Sequence, residues 1–348
     1  MKRIFTLSLL MWSTVFILPA AVISGGRAAA LPSQTKTTAA ATSAETTAAV
    51  QTTPAPTTSA SSEEKTAAPP TLDQTVFLLS DGKRVETDLE QLVASVVAAE
   101  MPALWPTEAL KAQAVAARTY WAVLAGTSRH DGADICADSG CCQAYIDRGK
   151  ALANWGDKGA EYAARIAQAV EQTDGLYVSY EGKPIQAVFF SCAPGSTVDA
   201  QAVWGRAVPY LVSVDSPEGE EVPNYRSQLT MTTGEFRALV KEQYPDADLG
   251  GPVSGWISDF AWEPSGMVNT VKVGGIRLTG GQVRKLLGLR SACFGVSVRG
   301  EEMTFHVTGY GHGVGMSQYG ANAMARQGKT FEDILTWYYT GTQVMVLP

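Results

Sequence analysis

Two prolines four residues apart, Pro102 and Pro106, constrain this chain more than any other feature. They interrupt a stretch that is otherwise helical in pattern. Leu89, Leu92, Val93, Val96 and Val97 repeat at helical spacing behind Thr87-Asp88, a pair suited to capping a helix start. Proline lacks an amide proton and disfavours helical geometry in the residue before it, so this first helix should stop near Glu100. A second should begin at Pro106-Thr107, where proline suits a first turn, and run to a C-terminal cap at Gly126. The break leaves Glu100 at a rigid helix end, crowded by Met101, Leu104 and Trp105. An apolar setting raises a carboxyl pKa and keeps the proton available, as a general acid needs. Lys111 and Arg118 lie seven apart, two turns, and share a stripe with small Ala114 and Val115. They read either as the wall of a polar cleft beside Glu100, where their charge would oppose the acid role, or as solvated cations on an outer face.

What precedes this region is of two kinds. Residues 1–30 carry Lys2-Arg3 and then an uncharged apolar run, Ile4 to Ile23, about long enough to span a bilayer; Ala28-Ala29-Ala30 offers a cleavage site. A membrane anchor is the slightly favoured reading over a cleaved signal peptide, and either sends the rest of the chain out of the cytoplasm. Residues 31–71 are almost entirely Thr, Ala, Ser and Pro, a composition that buries no core and should form an extended tether. The folded part is expected over 72–348. Its net charge, -7 for the whole chain, argues against nucleic-acid binding and suits an uncharged polymer substrate.

His130, Cys136, Cys141 and Cys142 fall within thirteen residues and supply four ligands, the number a closed structural zinc site takes. A disulfide from Cys136 to one of the adjacent pair fits the spacing as well. Cys192 and Cys293 are left as buried thiols or halves of a long-range disulfide. Lys150 to Gln172 reads as one helix. Leu176 to Tyr180 and Pro184 to Phe190 read as a hairpin that feeds a polar loop, Ser191 to Thr197. Trp204 and Tyr210 follow as aromatics suited either to stacking on sugar rings or to a core, and a core place is favoured for Trp204. Tyr225 to Arg299 reads as strands with helices over 233–243 and 279–287, so the fold class is α+β, with mixed helices and antiparallel strands. Finally Gly309, Gly311, Gly313 and Gly315 alternate, which requires the backbone to pass close to something. His312, Gln318 and Tyr319 sit where that run meets a helix capped by Ser317, and Phe331 to Tyr339 forms a last helix.

Taken together, Val97 to Pro102, Glu108 to Tyr120, Cys142 to Tyr145, Ser191 to Thr197 with Val203-Trp-Gly, Pro209-Tyr-Leu and Gly311 to Gly320 resemble stage II sporulation protein D and its relatives, the family that includes amidase enhancers. The resemblance spans nearly all of residues 85 to 342. It implies one large extracytoplasmic catalytic domain with a central glycan-binding cleft. The implied enzyme is a lytic transglycosylase that cuts denuded peptidoglycan strands between N-acetylmuramic acid and N-acetylglucosamine, leaving 1,6-anhydro ends, in septal wall degradation and engulfment. Glu100 matches the catalytic glutamate, and Lys111, Arg118, Ser191, Tyr210, His312, Gln318 and Tyr319 match or lie near substrate-binding positions. Clostridial members bind a structural zinc in the same His-Cys loop; here Cys141 stands where a second histidine is expected, which gives a Cys3His set and turns the choice toward zinc. No organic cofactor is implied. Implied partners are glycan strands, a SpoIIP-like amidase or endopeptidase and a SpoIIM-like membrane scaffold, at the cell membrane of the sporulation septum. The rival reading is a non-catalytic glycan-binding activator of a cell-wall amidase; a zinc-dependent amidase is weaker, because the loop leaves no open metal position.

Overall fold

The computed structural model describes residues 74–125, 127, 130 and 132–347, and it is an α+β fold. The expected anchor, tether and Gly126 cap lie outside the described residues. No helix among those described is long and apolar enough to cross a membrane.

The chain opens with a hairpin, β1 (Thr75–Ser80) and β2 (Lys83–Asp88), which runs straight into helix α1 (Leu89–Glu100). Asp88 caps that helix by accepting from the Glu90 and Gln91 amides. Its buried stripe is the expected one: Leu89, Leu92, Val93, Val96 and Val97. The helix stops at Glu100 because Met101 turns to extended geometry ahead of Pro102. Helix α2 (Thr107–Leu124) starts after Pro106, which serves as the cap rather than as the first helical residue. Alanines at 109, 112, 114, 116 and 117 are buried on it, and their small size lets several elements pack close around the helix.

Strand β3 (Ile135–Cys136) lies parallel to β1. The single helix expected over 150–172 is instead two, α3 (Arg148–Trp155) and α4 (Gly159–Glu171), joined by a short 3-10 turn at Gly156. Gly156 takes a positive φ, which ends α3 before the apolar pattern does. The expected hairpin is also shorter. β4 (Leu176–Tyr180) pairs with only two residues, β5 (Lys183–Pro184), before the chain leaves. Phe189–Phe190 (β6) then pairs in parallel with a distant segment. A short helix, α5 (Ala200–Trp204), follows.

The middle region builds a second core. β7 (Arg226–Thr232) leads into α6 (Thr233–Gln243) through a capping box of Thr232 and Glu235. β8 (Ile257–Trp262), β9 (Val268–Val273) and β10 (Ile276–Thr279) form one antiparallel sheet, capped by α7 (Gly280–Leu287). β11 (Phe294–Arg299) and β12 (Glu302–Thr308) join β7 in another. Phe236, Trp256, Phe294 and Phe305 fill this core.

The chain then returns to the first core as β13 (Met316–Ser317), α8 (Gln318–Arg326), α9 (Phe331–Tyr338) and β14 (Gln343–Val346). β13 is the partner of β6, and β14 pairs with β4. The last two helices pack on α2 beside Tyr338 and Tyr339, both fully buried. Residues far apart in sequence therefore meet around α2.

Candidate active site at Glu100

Glu100 ends α1 and faces α8. Its Oε2 accepts from the Gln318 side-chain amide at 2.9 Å, and its Oε1 from the Ala144 backbone amide at 3.1 Å. Gln318 Nε2 is also 3.4 Å from Gln113 Oε1 on α2. Met101 and Trp105 are buried beside the bend, as expected, whereas Leu104 points away and is 60% exposed. Arg165 of α4 clamps the bend by donating to the carbonyls of Ala103 and Trp105 at 2.8 and 3.1 Å. The Tyr319 ring meets Trp105 edge-on, 4.8 Å between centroids.

Burial pushes the Glu100 pKa above the ordinary 4.5, and the Gln318 and Ala144 hydrogen bonds only partly offset it. No cation contributes, which resolves the opposition expected from Lys111 and Arg118. Lys111 pairs with Glu108 at 2.8 Å and sits 5.7 Å from the Phe331 ring. Arg118 corrects the expectation of a glycan-facing cation. Its side chain has no exposure, and its guanidinium is spent on both Glu90 oxygens and the Leu176 carbonyl. A fully enclosed arginine with three internal acceptors braces α2 against α1 and β4; it does not touch a polymer outside.

Of the other residues expected to bind substrate, Ser191 contributes its carbonyl, which accepts from the Tyr319 amide at 3.0 Å. Tyr210 lies against Tyr180, 5.4 Å between centroids, and its hydroxyl accepts from the Gln186 amide. His312 is held by the Phe189 carbonyl at 3.1 Å and the Val314 amide at 3.2 Å. These partners fix the neutral tautomer, with Nε2 protonated and Nδ1 accepting. Burial, helped by the Arg284 charge, pushes its pKa down to about 4. His312 lines a separate small cavity with Val198, Met267, Asn269, Arg284 and Ala292. Trp204, expected in the core, is 45% exposed with its ring 5.5 Å from His312. The alternating glycines do make a close approach: Gly315, at φ +76°, leaves no room for a Cβ against the Val188 carbonyl.

The His-Cys loop is the second cluster. The ligand atoms of His130, Cys136, Cys141 and Cys142 all lie within 4.8 Å of one another, and none of the cysteines is in a disulfide. Tetrahedral zinc with Zn–S near 2.3 Å needs ligand atoms roughly 3.5–3.8 Å apart, so this set fits a metal after small adjustment. Burial above all pushes the Cys142 thiol up to about 12. Cys142 therefore keeps its proton unless a bound cation draws it off. Two residues beyond Cys142, the same loop presents Ala144 to Glu100.

Sequence reading missed Gln113 and the Ala144 amide. Gln113 had a signal, a polar side chain in a run of small apolar residues. Backbone donors carry none.

A family model described as "SpoIID: Stage II sporulation protein" matches residues 82–180. The chain is 38% identical over 283 residues to stage II sporulation protein D of Bacillus amyloliquefaciens, covering 79% of this chain and 80% of that protein. It is 39% identical over 259 residues to the protein of that name in Bacillus subtilis (strain 168), 74% of each. The amidase enhancer of Bacillus subtilis is 28% identical over 295 residues, 71% of this chain and 39% of that protein.

Proposed function

The chain belongs to the stage II sporulation protein D family, proteins of sporulation and the cell wall, and from that premise we propose that it is a lytic transglycosylase acting on denuded glycan strands. The observation that carries this reading is a half-buried carboxyl, Glu100, whose desolvation favours the protonated form and which is bonded to Gln318 and Ala144. Ordinary glycoside hydrolysis needs two carboxylates around the bond. A transglycosylase that uses the sugar's own hydroxyl needs one.

Protonated Glu100 gives its proton to the glycosidic oxygen between N-acetylmuramic acid and N-acetylglucosamine, and the C1–O bond breaks. The Glu100 carboxylate then takes the proton from the muramic C6 hydroxyl as that oxygen bonds to C1, which closes the 1,6-anhydro ring and returns Glu100 to its starting form. Gln318 and Ala144 stabilise the transient carboxylate. Lys111, Ser191, Tyr210, His312 and Tyr319 are proposed to lie along the strand, and Arg118 is not among them. Zinc on His130, Cys136, Cys141 and Cys142 would act structurally, fixing the loop that carries Ala144. Residues 1–30 are proposed as the anchor and 31–71 as the tether, holding the domain at the septal membrane. A SpoIIP-like amidase and a SpoIIM-like scaffold are proposed partners.

The likeness to an amidase enhancer favours one second reading, a glycan-binding activator without catalysis. Mass spectrometry of products from purified denuded strands separates the two. Wild type should release anhydro ends, and Glu100→Gln should do so about 10²–10⁴-fold more slowly. Equal product from both proteins would remove Glu100 from the mechanism, and none from either would favour the activator.

A further inference from the structure

Glu218, in the loop after Ser216, is a buried carboxylate with no part in the mechanism above, 4% exposed. It accepts three hydrogen bonds from three parts of the chain. Oε1 takes the Ala193 amide at 2.7 Å and the Ser317 hydroxyl; Oε2 takes the Ser216 hydroxyl at 2.5 Å. Ser216 Oγ is in turn 2.6 Å from the Tyr338 hydroxyl on α9. Both carboxyl oxygens are thereby occupied as acceptors, each by a donor from the surrounding chain.

The Ser317 link matters most. Ser317 caps α8, its oxygen accepting from the Gly320 amide at 3.3 Å, and it immediately precedes Gln318 and Tyr319. Gln318 reaches Glu100, and Tyr319 packs on Trp105. Gly320 seals the arrangement. A Cβ there would overlap the Tyr338 hydroxyl and come within 2.5 Å of Ser216 Oγ and 2.7 Å of Glu218 Oε2. The start of α8 is thus pressed onto the Glu218 network with no side chain between.

We propose that Glu218 is a positioning residue: by holding Ser317 it sets where α8 begins, and so sets the Gln318–Glu100 hydrogen bond. This rests on the reading of Glu100 as the acid. A packing role alone would make Glu218 one more brace of the core; a positioning role makes its effect pass through Gln318.

The test uses the full-length protein and the anhydro-product assay with four variants, Glu218→Gln, Ser317→Gly, Ser216→Ala and Gln318→Leu. Glycine is tolerated at a helix cap at small cost, so Ser317→Gly cuts the link while keeping the start of α8. Glu218→Gln and Ser317→Gly should each lower kcat tenfold or more with KM within threefold. Both should move the basic limb of the pH profile upward, since a lost Gln318 contact disfavours the Glu100 carboxylate. Ser216→Ala cuts the arm toward α9 and should lower Tm without moving that limb. In the Gln318→Leu background, Glu218→Gln should cost less than threefold further. Fully multiplicative effects, or a limb that Ser216→Ala moves equally, would overturn the proposal. If Glu218→Gln does not fold, Ser317→Gly carries the same comparison. If wild type gives no anhydro ends, the catalytic reading fails on its own. The ¹³C titration of the Glu100 carboxyl still decides the positioning role, by an upward shift in Glu218→Gln or none.

Discussion

At the scale of residues, the protein holds an acid where burial makes ionisation costly. Glu100 has a folded-state pKa above its unfolded value, so its contribution to stability is complete below about pH 4.5 and is lost as pH rises through the folded-state pKa. Glu100→Gln removes that loss. It should raise Tm at neutral pH, a gain that shrinks as pH falls and disappears below about pH 4.5, in thermal melts across that range. On the proposed mechanism, in which the protonated form is the donor, activity has the same sign: it should be full below the Glu100 pKa and fall as pH rises through it. A Glu100→Gln protein that melts with wild type at every pH would show that burial costs nothing at this position. The apolar neighbours that announce this pKa, Met101 and Trp105, stand next to it in sequence. Its actual hydrogen-bond partners do not, and the backbone amide of Ala144 has no residue identity to read.

Among the elements, the prolines and caps around α1 were legible because their causes are local. An aspartate at 88 and a proline at 102 act within a few residues of themselves. Arg118 was misread because its role depends on Glu90 and the Leu176 carbonyl, 28 and 58 residues away. Breaking a buried pair leaves an uncompensated charge, so Arg118→Leu should destabilise the fold by about 3–5 kcal/mol, measured by denaturant unfolding. KM of the folded fraction should not change, which a glycan-contacting arginine would not allow. The His-Cys loop makes the complementary prediction. Cys136→Ser or a strong chelator should release about one zinc per chain by metal analysis and lower product formation through Ala144, while the second core melts unchanged. The two-helix outcome over 148–171 shows the limit of periodicity, since a continuous apolar stripe hid the positive φ at Gly156.

For the whole molecule, a smaller cluster of Val198, Met267 and Ala292 packs beside His312, apart from the two main hydrophobic cores. His312 is six residues of chain from Gln318, at most about 20 Å, a span that several sugars of one strand would cover. Trp204, exposed there, should matter only for long substrates: Trp204→Ala should raise KM several-fold on polymeric strands and leave a tetrasaccharide unaffected, read from initial rates. The α+β class could be read from alternating elements. The parallel pairing of β6 with β13 could not, because two-residue strands carry no periodicity.

That pairing also orders events in time. The acid and the amide that meets it are 218 residues apart, and the strand that aligns them is among the last segments to be made. A nascent chain, or any fragment ending before Gln318, carries the carboxyl without its setting. On the proposed mechanism, a chain cleaved ahead of α8 lacks the amide that steadies the Glu100 carboxylate, so proteolysis there should cut the release of anhydro ends much as Glu100→Gln does.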